Sequence, residues 1–479
     1  MAEVDVLVVG AGVLGRSIAF ALASAEPGIR VVLSGRQAAG ASEAAGAMLG
    51  VLGEVTAASL EKEHSRLRLE MAIEAAGRWD GWLDRIGRYG AKSRETGHGR
   101  GTFMLLNAVS GPTDERAFAA IAEAGRRYQL PVQEIDPAEV PACRPVSNDR
   151  PLRALYLPDE AFLDARRWLM ALDTALAALP NVTLAPPGDL AAAPADTYTL
   201  TCSDKTVFRA PNAVIAAGVW STDLVHRIDP DLPVLPVAAI EGTAVTVSAP
   251  AALPAVLRTP NRAYACGLHA VPQADGTWYI GASAVPTPTP TAHPPAGALR
   301  FLLDNALSQL DHGLAGARIH AIHHGNRPVG LDGHPLVGST SRRGLWVATG
   351  THRDGLHASP LIAEELTAAL LHNKTSTWLE PWSPERQPIA DWRRDEAVEE
   401  AAAHHAALAA EARMRPPLTG AWPQTLQGAY RHQMAHLYEQ LPRGFTLPPD
   451  LAPLGYAYGP HLATLLAAHR ERRQRSTTR

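Results

Sequence analysis

Cysteine is scarce in this chain, which has only Cys143, Cys202 and Cys266 among its 479 residues. The three are odd in number and far apart in sequence, so they predict neither a disulfide framework nor a zinc site. A reducing cytoplasm is the environment that such a composition favours.

A surplus of positive charge and a long hydrophobic run are lacking as well. The formal net charge is -4, so a small molecule is a more natural partner than nucleic acid or a membrane. The first apolar run, Val4 to Val9, is too short and wrongly flanked for a signal peptide or a membrane span. With 46% hydrophobic and 19% charged residues, the chain is predicted to form two globular domains, or two domains with an appendage.

A glycine-rich turn follows this run, which is predicted to be a buried parallel strand. The turn has the pattern G-x-G-x-x-G and leads into a helix predicted over Arg16 to Ser24, with a second strand at Arg30 to Leu33. Such a turn lets the backbone and a helix N-terminus approach a pyrophosphate. The segment therefore predicts dinucleotide binding. Its candidate cofactor-binding residues are Gly10, Gly12, Val13, Leu14 and Gly15.

An acidic residue is missing where this motif normally ends. The second strand should finish in Asp or Glu for the adenosine ribose, but Ser34 stands there, followed by Gly35 and Arg36. A small polar residue with an arginine favours a 2′-phosphate, which makes NADPH an alternative. In the other interpretation, the Ser34 hydroxyl or a water molecule contacts the ribose of FAD.

Downstream segments resemble one known family in the same order along the chain. They are Gly40 to Leu49, Leu155 to Arg166, Val214 to Ser221, Gly325 to Pro335 and Gly344 to Gly355. With the glycine turn, they are spread over roughly residues 4 to 372 and are similar to the FAD-dependent glycine oxidase and D-amino-acid oxidase family. The resemblance implies FAD rather than NADPH. It adds as cofactor-binding candidates Ala41, Ser42, Gly46, Ala47, Met48, Gly218, Trp220, Gly350, Thr351, His352, Asp354, Gly355 and Leu356.

The resemblance also implies an α/β fold with a Rossmann-like FAD-binding domain and an antiparallel α+β substrate domain. The FAD-binding domain is expected from residues 1–85, 152–228 and 322–372, and the substrate domain from residues 86–151 and 229–321. Residues 373–479 extend beyond the usual family length, and their pattern predicts a helical C-terminal extension. A cap on the fold, a homo-oligomer contact and a function in a specialised pathway are all open as its role.

The activity implied by the resemblance is oxidation of the C–N bond of a carboxylate-bearing amine. Arg327, in Gly-Asn-Arg-Pro, is the candidate for the substrate carboxylate because a guanidinium can bind it through two parallel hydrogen bonds. Arg353 is a second candidate at the substrate or flavin edge. Dioxygen would take the electrons and yield hydrogen peroxide. A flavin dehydrogenase with another acceptor, or a non-catalytic FAD- or NADPH-binding protein, remains the alternative.

One position departs from the family pattern. The strand Leu268-His269-Ala270-Val271-Pro272 places His269 where glycine oxidase has a tyrosine whose hydroxyl helps hold the substrate carboxylate. Imidazole is shorter and can donate, accept or carry charge. We therefore expect His269 in the site and a preference for larger or N-substituted amino acids over glycine, although a histidine packed against a backbone carbonyl is the plain alternative.

Two other features are assigned no chemistry. His320, His323 and His324 lie on a predicted strand that points His323 away from its neighbours, so no metal site is predicted. Cys266 lies near the expected site, but no motif indicates covalent flavin attachment or a thiol nucleophile there.

Overall fold

The structure is a computed structural model that describes residues 1–35, 40–90, 93–262, 266–414 and 422–476. Arg36, one of the cofactor-binding candidates, lies outside the described residues.

The strands and helices alternate along most of the chain. The strands are β1 (Ala2–Glu3), β2 (Val6–Val9), β3 (Val31–Ser34), β4 (Met48–Leu49), β5 (Gly99–Asn107), β6 (Gln133–Ile135), β7 (Pro151–Phe162), β8 (Val182–Ala185), β9 (Gly188–Ala193), β10 (Thr197–Cys202), β11 (Val207–Ala210), β12 (Asn212–Ile215), β13 (Val237–Val247), β14 (Val256–Arg258), β15 (His269–Pro272), β16 (Trp278–Gly281), β17 (Val285–Thr287), β18 (Ile319–Gly330), β19 (Leu336–Ser339) and β20 (Leu345–Thr349). The helices are α1 (Val13–Ala25), α2 (Ala58–Glu61), α3 (Glu63–Gly87), α4 (Pro112–Tyr128), α5 (Ala165–Ala178), α6 (Ser221–Ile228), α7 (Ala296–Gln309), α8 (Ser359–His372), α9 (Arg394–Glu411), α10 (Trp422–Gln440) and α11 (Ala452–Ser476).

A six-stranded sheet forms the dinucleotide-binding part. Its order is β19-β20-β12-β2-β3-β8, and all neighbouring pairs are parallel except β19 with β20. The β2 and β3 sequences, Val-Leu-Val-Val and Val-Val-Leu-Ser, are buried throughout, as expected of strands covered on both faces. β2 ends at Val9, so the glycine turn begins at the carboxyl edge of the sheet, where ligands of such folds bind.

A ten-stranded, largely antiparallel sheet forms the second part. Its main path is β17-β13-β16-β15-β14-β5-β7-β4, with β18 paired to β13 and β6 paired to β7. In the long β13–β18 ladder, Ile240 pairs with Arg327 and Gly242 with Gly325. A smaller sheet of order β1-β11-β10-β9 packs against one face of the six-stranded sheet through Tyr198, Leu200 and Phe208.

The C-terminal extension is helical, as predicted, and packs on the ten-stranded sheet. α10 and α11 contribute Met434, Leu437 and Leu454 to a core that includes Ile240 of β13 and Val329 of β18. Burying these side chains together is the main stabilisation expected for such a contact. The extension therefore covers the two strands that carry the substrate end of the cavity described below.

The predicted α/β class, with its Rossmann-like part, antiparallel part and helical extension, is confirmed. The predicted boundary at residues 151/152 falls at the start of β7, and that at 321/322 falls inside β18. The division into domains at these positions stays a prediction. Among the described residues, no helix combines the length and the apolar character needed to cross a bilayer.

Candidate active site

A cavity of about 870 Å³ lies where the six-stranded and ten-stranded sheets meet. The glycine turn after β2 lines one end, which we call the cofactor end. Arg327, Arg353 and His269 line the other, which we call the substrate end. The volume is within the range of cofactor and small-molecule sites.

The glycine turn is built by close backbone approaches. Gly10 has φ +119°, and a Cβ there would lie 2.2 Å from the carbonyl oxygen of Ala216. A Cβ on Gly15 would lie 1.7 Å from the Gly10 carbonyl oxygen, so Gly15 serves helix–strand packing and does not itself line the cavity. These two positions accept only glycine.

The start of α1 is open toward the cavity. The backbone N–H of Val13 donates to Ser42 Oγ at 3.0 Å, so the loop after β3 is tied to the first turn of the helix. A Cβ on Gly12 would meet only Ser42 Oγ, at 3.3 Å, within 4 Å. This free space beside a helix N-terminus fits the pyrophosphate of a dinucleotide.

Ser34 stands at the end of β3, where the acidic residue is missing. Its hydroxyl donates to the Pro186 carbonyl at 2.7 Å, which leaves its oxygen lone pairs to accept from a ligand. Asp189 of β9 lines the same cavity and supplies a carboxylate that the local motif lacks. Sequence reasoning missed Asp189 because β9 is far from the glycine turn in sequence.

Arg327 projects from β18 against the neighbouring strand. A Cβ on Gly242 would lie 2.5 Å from its Nη1, so the guanidinium occupies the space that glycine leaves. Nη1 donates to the Ser283 carbonyl at 3.1 Å. Among the described residues, no carboxylate lies within ion-pair distance of Arg327. A cation without a protein counter-ion in a cavity is suited to bind an anionic ligand.

Arg353 differs because two carboxylates flank it. Its Nε lies 3.7 Å from Glu54 Oε2, and its Nη2 lies 3.8 Å from Asp450 Oδ1. Asp450 belongs to the C-terminal extension, in the short 3₁₀ turn Pro449–Leu451. Burial raises the pKa of Asp450 to about 6, against the opposing effect of Arg353. The extension thus reaches the substrate end through Asp450.

Glu54, which lies beside Arg353, also contacts the more deeply buried Arg258 and Asn261. Arg258 Nη1 donates to Glu54 Oε1 at 2.8 Å, and Asn261 Nδ2 donates to Glu54 Oε2 at 2.7 Å. Burial raises the pKa of Glu54, but the guanidinium groups of Arg258 and Arg353 outweigh it and lower the pKa to about 2. Glu54 is therefore ionised and balances both arginines.

Glu160 is a second carboxyl near Arg258, and its pKa is shifted in the opposite direction to that of Glu54. Its Oε1 accepts from the backbone N–H groups of Val51 and Leu52 at 2.8 and 2.7 Å. Burial nevertheless raises the pKa of Glu160 to about 7 because these hydrogen bonds and Arg258 only partly offset it. The two carboxyls near Arg258 therefore have very different pKa values, about 2 for Glu54 and about 7 for Glu160.

His269 lies at the substrate end with its ring fixed. Its Nδ1 lies 2.8 Å from the Gly267 carbonyl oxygen, and its ring stacks on Tyr279 with centroids 6.0 Å apart. Tyr279 donates its hydroxyl proton to the Ala44 carbonyl at 2.6 Å. Burial, assisted by the nearby Arg258, lowers the pKa of His269 to about 4. The imidazole is therefore neutral near pH 7.

Most of the predicted site residues meet in this one cavity. Those that line it are Gly10, Gly12, Val13, Leu14, Ser34, Gly35, Ala41, Ser42, Gly46, Ala47, Met48, Gly218, Trp220, His269, Arg327, Thr351, His352, Arg353, Gly355 and Leu356.

Three predicted cofactor-binding residues do not line the cavity. Gly15 packs on Gly10, as described above. Gly350 has φ +73° and sits under the Leu336 backbone, which a Cβ would approach to 3.2 Å. Asp354 turns away and pairs with Arg68 at 2.7 Å. These three residues shape the loops beside the cavity rather than its surface.

Several lining residues carry no recognised motif. Glu54, Asp189, Gly242 and Tyr279 come from segments that the family-like patterns do not include. Only Gly242 leaves a sequence signal, a glycine inside the strand-like run that ends at Val247, which often marks a close approach by another group. As for metals, the described residues include no cluster of three histidine, cysteine or acidic side chains able to hold an ion.

A parallel sheet with a glycine turn at its carboxyl edge, joined to an antiparallel sheet that presents the partly buried Arg327 to the shared cavity, is typical of dinucleotide-dependent oxidoreductases. The chain belongs to the FAD dependent oxidoreductase family, DAO, whose model matches residues 5–369. The cofactor is therefore FAD, as the resemblance implied, and the NADPH alternative that Ser34 had left open is set aside.

Similar proteins agree with this assignment. The glycine oxidase of Pseudomonas putida is 29% identical over 272 residues, which cover 56% of this chain and 71% of that protein. The glycine oxidase of Geobacillus kaustophilus is 28% identical over 389 residues, covering 79% of this chain and 96% of that protein. The crystal structure of the Geobacillus kaustophilus glycine oxidase superimposes with a TM-score of 0.68 at 26% identity, covering 81% of this chain and 100% of that one. The C-terminal extension lies beyond residue 369, where the family match ends.

Proposed function

We propose that this protein is an oxidase of the C–N bond of an amino acid or an N-substituted amino acid. The observation that carries the proposal is Arg327, a cation at the substrate end of the cavity with no carboxylate partner among the described residues. The names of its relatives, glycine oxidases, point to the same substrate class.

Arg327 binds the substrate carboxylate in this proposal, and Arg353 does not. Arg353 already has Glu54 and Asp450 within 4 Å, so a third carboxylate there would meet two like charges. Arg327 donates one hydrogen bond to Ser283 and has further N–H groups for a paired interaction with a carboxylate. Gly242 leaves room for the guanidinium, since a side chain at that position would displace it.

FAD, when bound, supplies the hydride acceptor and passes the electrons to dioxygen, which gives hydrogen peroxide. The protein itself orients the substrate in the cavity and shields it from water. Arg327 fixes the carboxylate, so that the Cα–H of the substrate has one direction in the cavity. The oxidised substrate is an imine, which hydrolyses to a carbonyl compound and ammonia or an amine.

The decisive experiment combines a visible spectrum with two assays on purified protein. Glycine, sarcosine, D-amino acids and longer N-substituted amino acids are mixed with the protein without oxygen, and loss of the flavin absorbance is recorded. Peroxide is then measured in air with the same compounds. Bleaching with peroxide release is expected. Bleaching without peroxide identifies a dehydrogenase with another acceptor, and absence of bleaching across the panel supports a non-catalytic FAD-binding protein.

A further inference from the structure

The hydrogen bonding of His269 leaves only one of its ring nitrogens for a ligand. A carbonyl oxygen can only accept, so the contact of Nδ1 with the Gly267 carbonyl at 2.8 Å places a proton on Nδ1. With the ring neutral, Nε2 then carries a lone pair and no proton. Among the described residues, Nε2 has no hydrogen-bonding partner.

Two glycines leave room for the edge of the ring that carries Nε2. A Cβ on Gly46 would lie 3.3 Å from Nε2, and one on Gly281 would lie 2.5 Å from it. Both Gly46 and His269 line the cavity. The ring thus fits between two backbones with its acceptor edge at the substrate end.

The charged and polar groups near this ring favour a neutral acceptor. Arg258 and Arg327 both disfavour a positive charge on it, while Glu54 acts in the opposite direction. Tyr279, stacked on the ring, uses its hydroxyl proton in a hydrogen bond that it donates to the Ala44 carbonyl. A lone pair at Nε2 is a poor neighbour for a carboxylate and a good one for an N–H group.

We propose that Nε2 of His269 accepts a hydrogen bond from the substrate amine, so that the site takes primary and secondary amines and rejects tertiary ones. This inference rests on the proposed function. With the carboxylate on Arg327 and one N–H on His269, the remaining nitrogen lone pair has a fixed direction relative to the Cα–H. A tertiary amine in its uncharged form has no N–H to offer and leaves the buried acceptor without a partner, which is costly.

The first test compares sarcosine with N,N-dimethylglycine in the wild type and in His269→Leu. The wild type is expected to favour sarcosine in kcat/KM by about tenfold or more, since a buried acceptor discriminates against a ligand that cannot donate. His269→Leu is expected to lose most of this preference by slowing sarcosine, with N,N-dimethylglycine little changed. Equal rates for both substrates in the wild type would overturn the proposal.

The second test uses methoxyacetate, which has the shape of sarcosine but an ether oxygen in place of the N–H. Its binding is followed by the change in the visible flavin spectrum, without turnover. His269→Leu is expected to bind methoxyacetate as tightly as the wild type or more tightly, because the substitution removes the repulsion between the Nε2 lone pair and the ether oxygen. If His269 donates to the carboxylate instead, the variant binds methoxyacetate about tenfold more weakly, and the proposal is wrong.

Two controls keep these outcomes interpretable. His269→Phe retains a ring to stack on Tyr279 and repeats both tests if the leucine variant loses FAD. Arg327→Met is expected to weaken methoxyacetate in either case. Failure of the whole substrate panel to bleach the flavin refutes the proposed function, whereas the methoxyacetate measurement still reports on the role of His269.

Discussion

The two ends of the cavity are built from different materials. At the cofactor end the walls are backbone, brought close by Gly10, Gly12 and Gly35, and the helix N-terminus supplies the favourable field. At the substrate end the walls are charged side chains, and Glu54 and Asp450 balance Arg353 while Arg327 is left without a carboxylate partner in the described chain.

The difference shows which kinds of change each end tolerates. A backbone-built site depends on the absence of side chains, so the loss of the usual acidic residue at Ser34 is compatible with the fold as long as the glycines remain. A site of partly buried charges depends on complete sets of partners, because removal of one partner leaves another charge uncompensated. Substitutions at the two ends should therefore fail in different ways.

The largest effect is expected at the cofactor end, for Gly12→Val. The position has extended backbone angles that valine adopts, and only Ser42 Oγ lies near a new Cβ, so the chain should fold. The isopropyl group would fill the space for the pyrophosphate, and we expect purified protein without flavin colour. Circular dichroism checks the fold, and Gly77→Val, at an exposed position with open space, is the matched control. A yellow Gly12→Val protein would contradict the backbone-built description.

Arg327→Met should give the next largest effect, at the substrate end. We expect FAD to stay bound and kcat/KM to fall about a hundredfold, since a charge-assisted contact of roughly 2 to 3 kcal/mol is lost. Steady-state kinetics with the best substrate of the panel measures this.

Arg353→Met is the contrasting variant for the same end. It leaves Glu54 and Asp450 with one cation fewer, so its melting temperature should fall more than that of Arg327→Met. Equal melting temperatures for the two variants would show that the two arginines are not distinguished by their counter-ions.

Glu160→Gln tests the charge balance through pH. The folded-state pKa of Glu160 is raised to about 7 from an unfolded value of 4.5, so its contribution to stability is fully present below pH 4.5 and is lost as the pH rises through 7. A glutamine keeps an acceptor for Val51 and Leu52 without this loss. We compare the free energy of unfolding of the variant minus that of the wild type at two pH values. This difference is expected to be more favourable to the variant at pH 8 to 9 than at pH 5, by on the order of 1 to 2 kcal/mol. Thermal unfolding across pH measures it, with the exposed Glu139→Gln as control; a pH-independent difference would reject the raised pKa.

The same contrast explains what the sequence could predict. The glycine turn was predictable from residues alone because strand, glycines and helix are adjacent in the chain, and its function is carried by backbone. Arg327 and Arg353 were identified only through family resemblance. Glu54 and Asp450 were not found at all, because nothing in their neighbourhoods indicates that they meet around Arg353.

Loop conformation limits such predictions even where a motif is recognised. Asp354 was expected at the cofactor, but it pairs with Arg68 although Arg353 and Gly355 on either side line the cavity. His352 just before them has φ +52°, a left-handed conformation that redirects the following side chains. A sequence pattern gives the segment, whereas the direction of each side chain depends on backbone angles that tertiary contacts decide.

The smallest expected effect concerns substrate choice at His269. The ring is confined between Gly46 and Gly281, so a tyrosine there would extend past the present position of Nε2 into the cavity. Its hydroxyl would bring a proton donor where the wild type has an acceptor, and the pocket would be shorter. Both changes favour a small amino acid whose carboxylate can accept a hydrogen bond from that hydroxyl. We expect wild type to prefer N-substituted or longer amino acids to glycine, and His269→Tyr to shift the ratio of kcat/KM toward glycine about fivefold, roughly 1 kcal/mol. The ratio is measured in both proteins with glycine, sarcosine and a longer N-substituted amino acid, and a wild type that prefers glycine, or a ratio that the substitution leaves unmoved, would show that His269 does not set the size of the substrate.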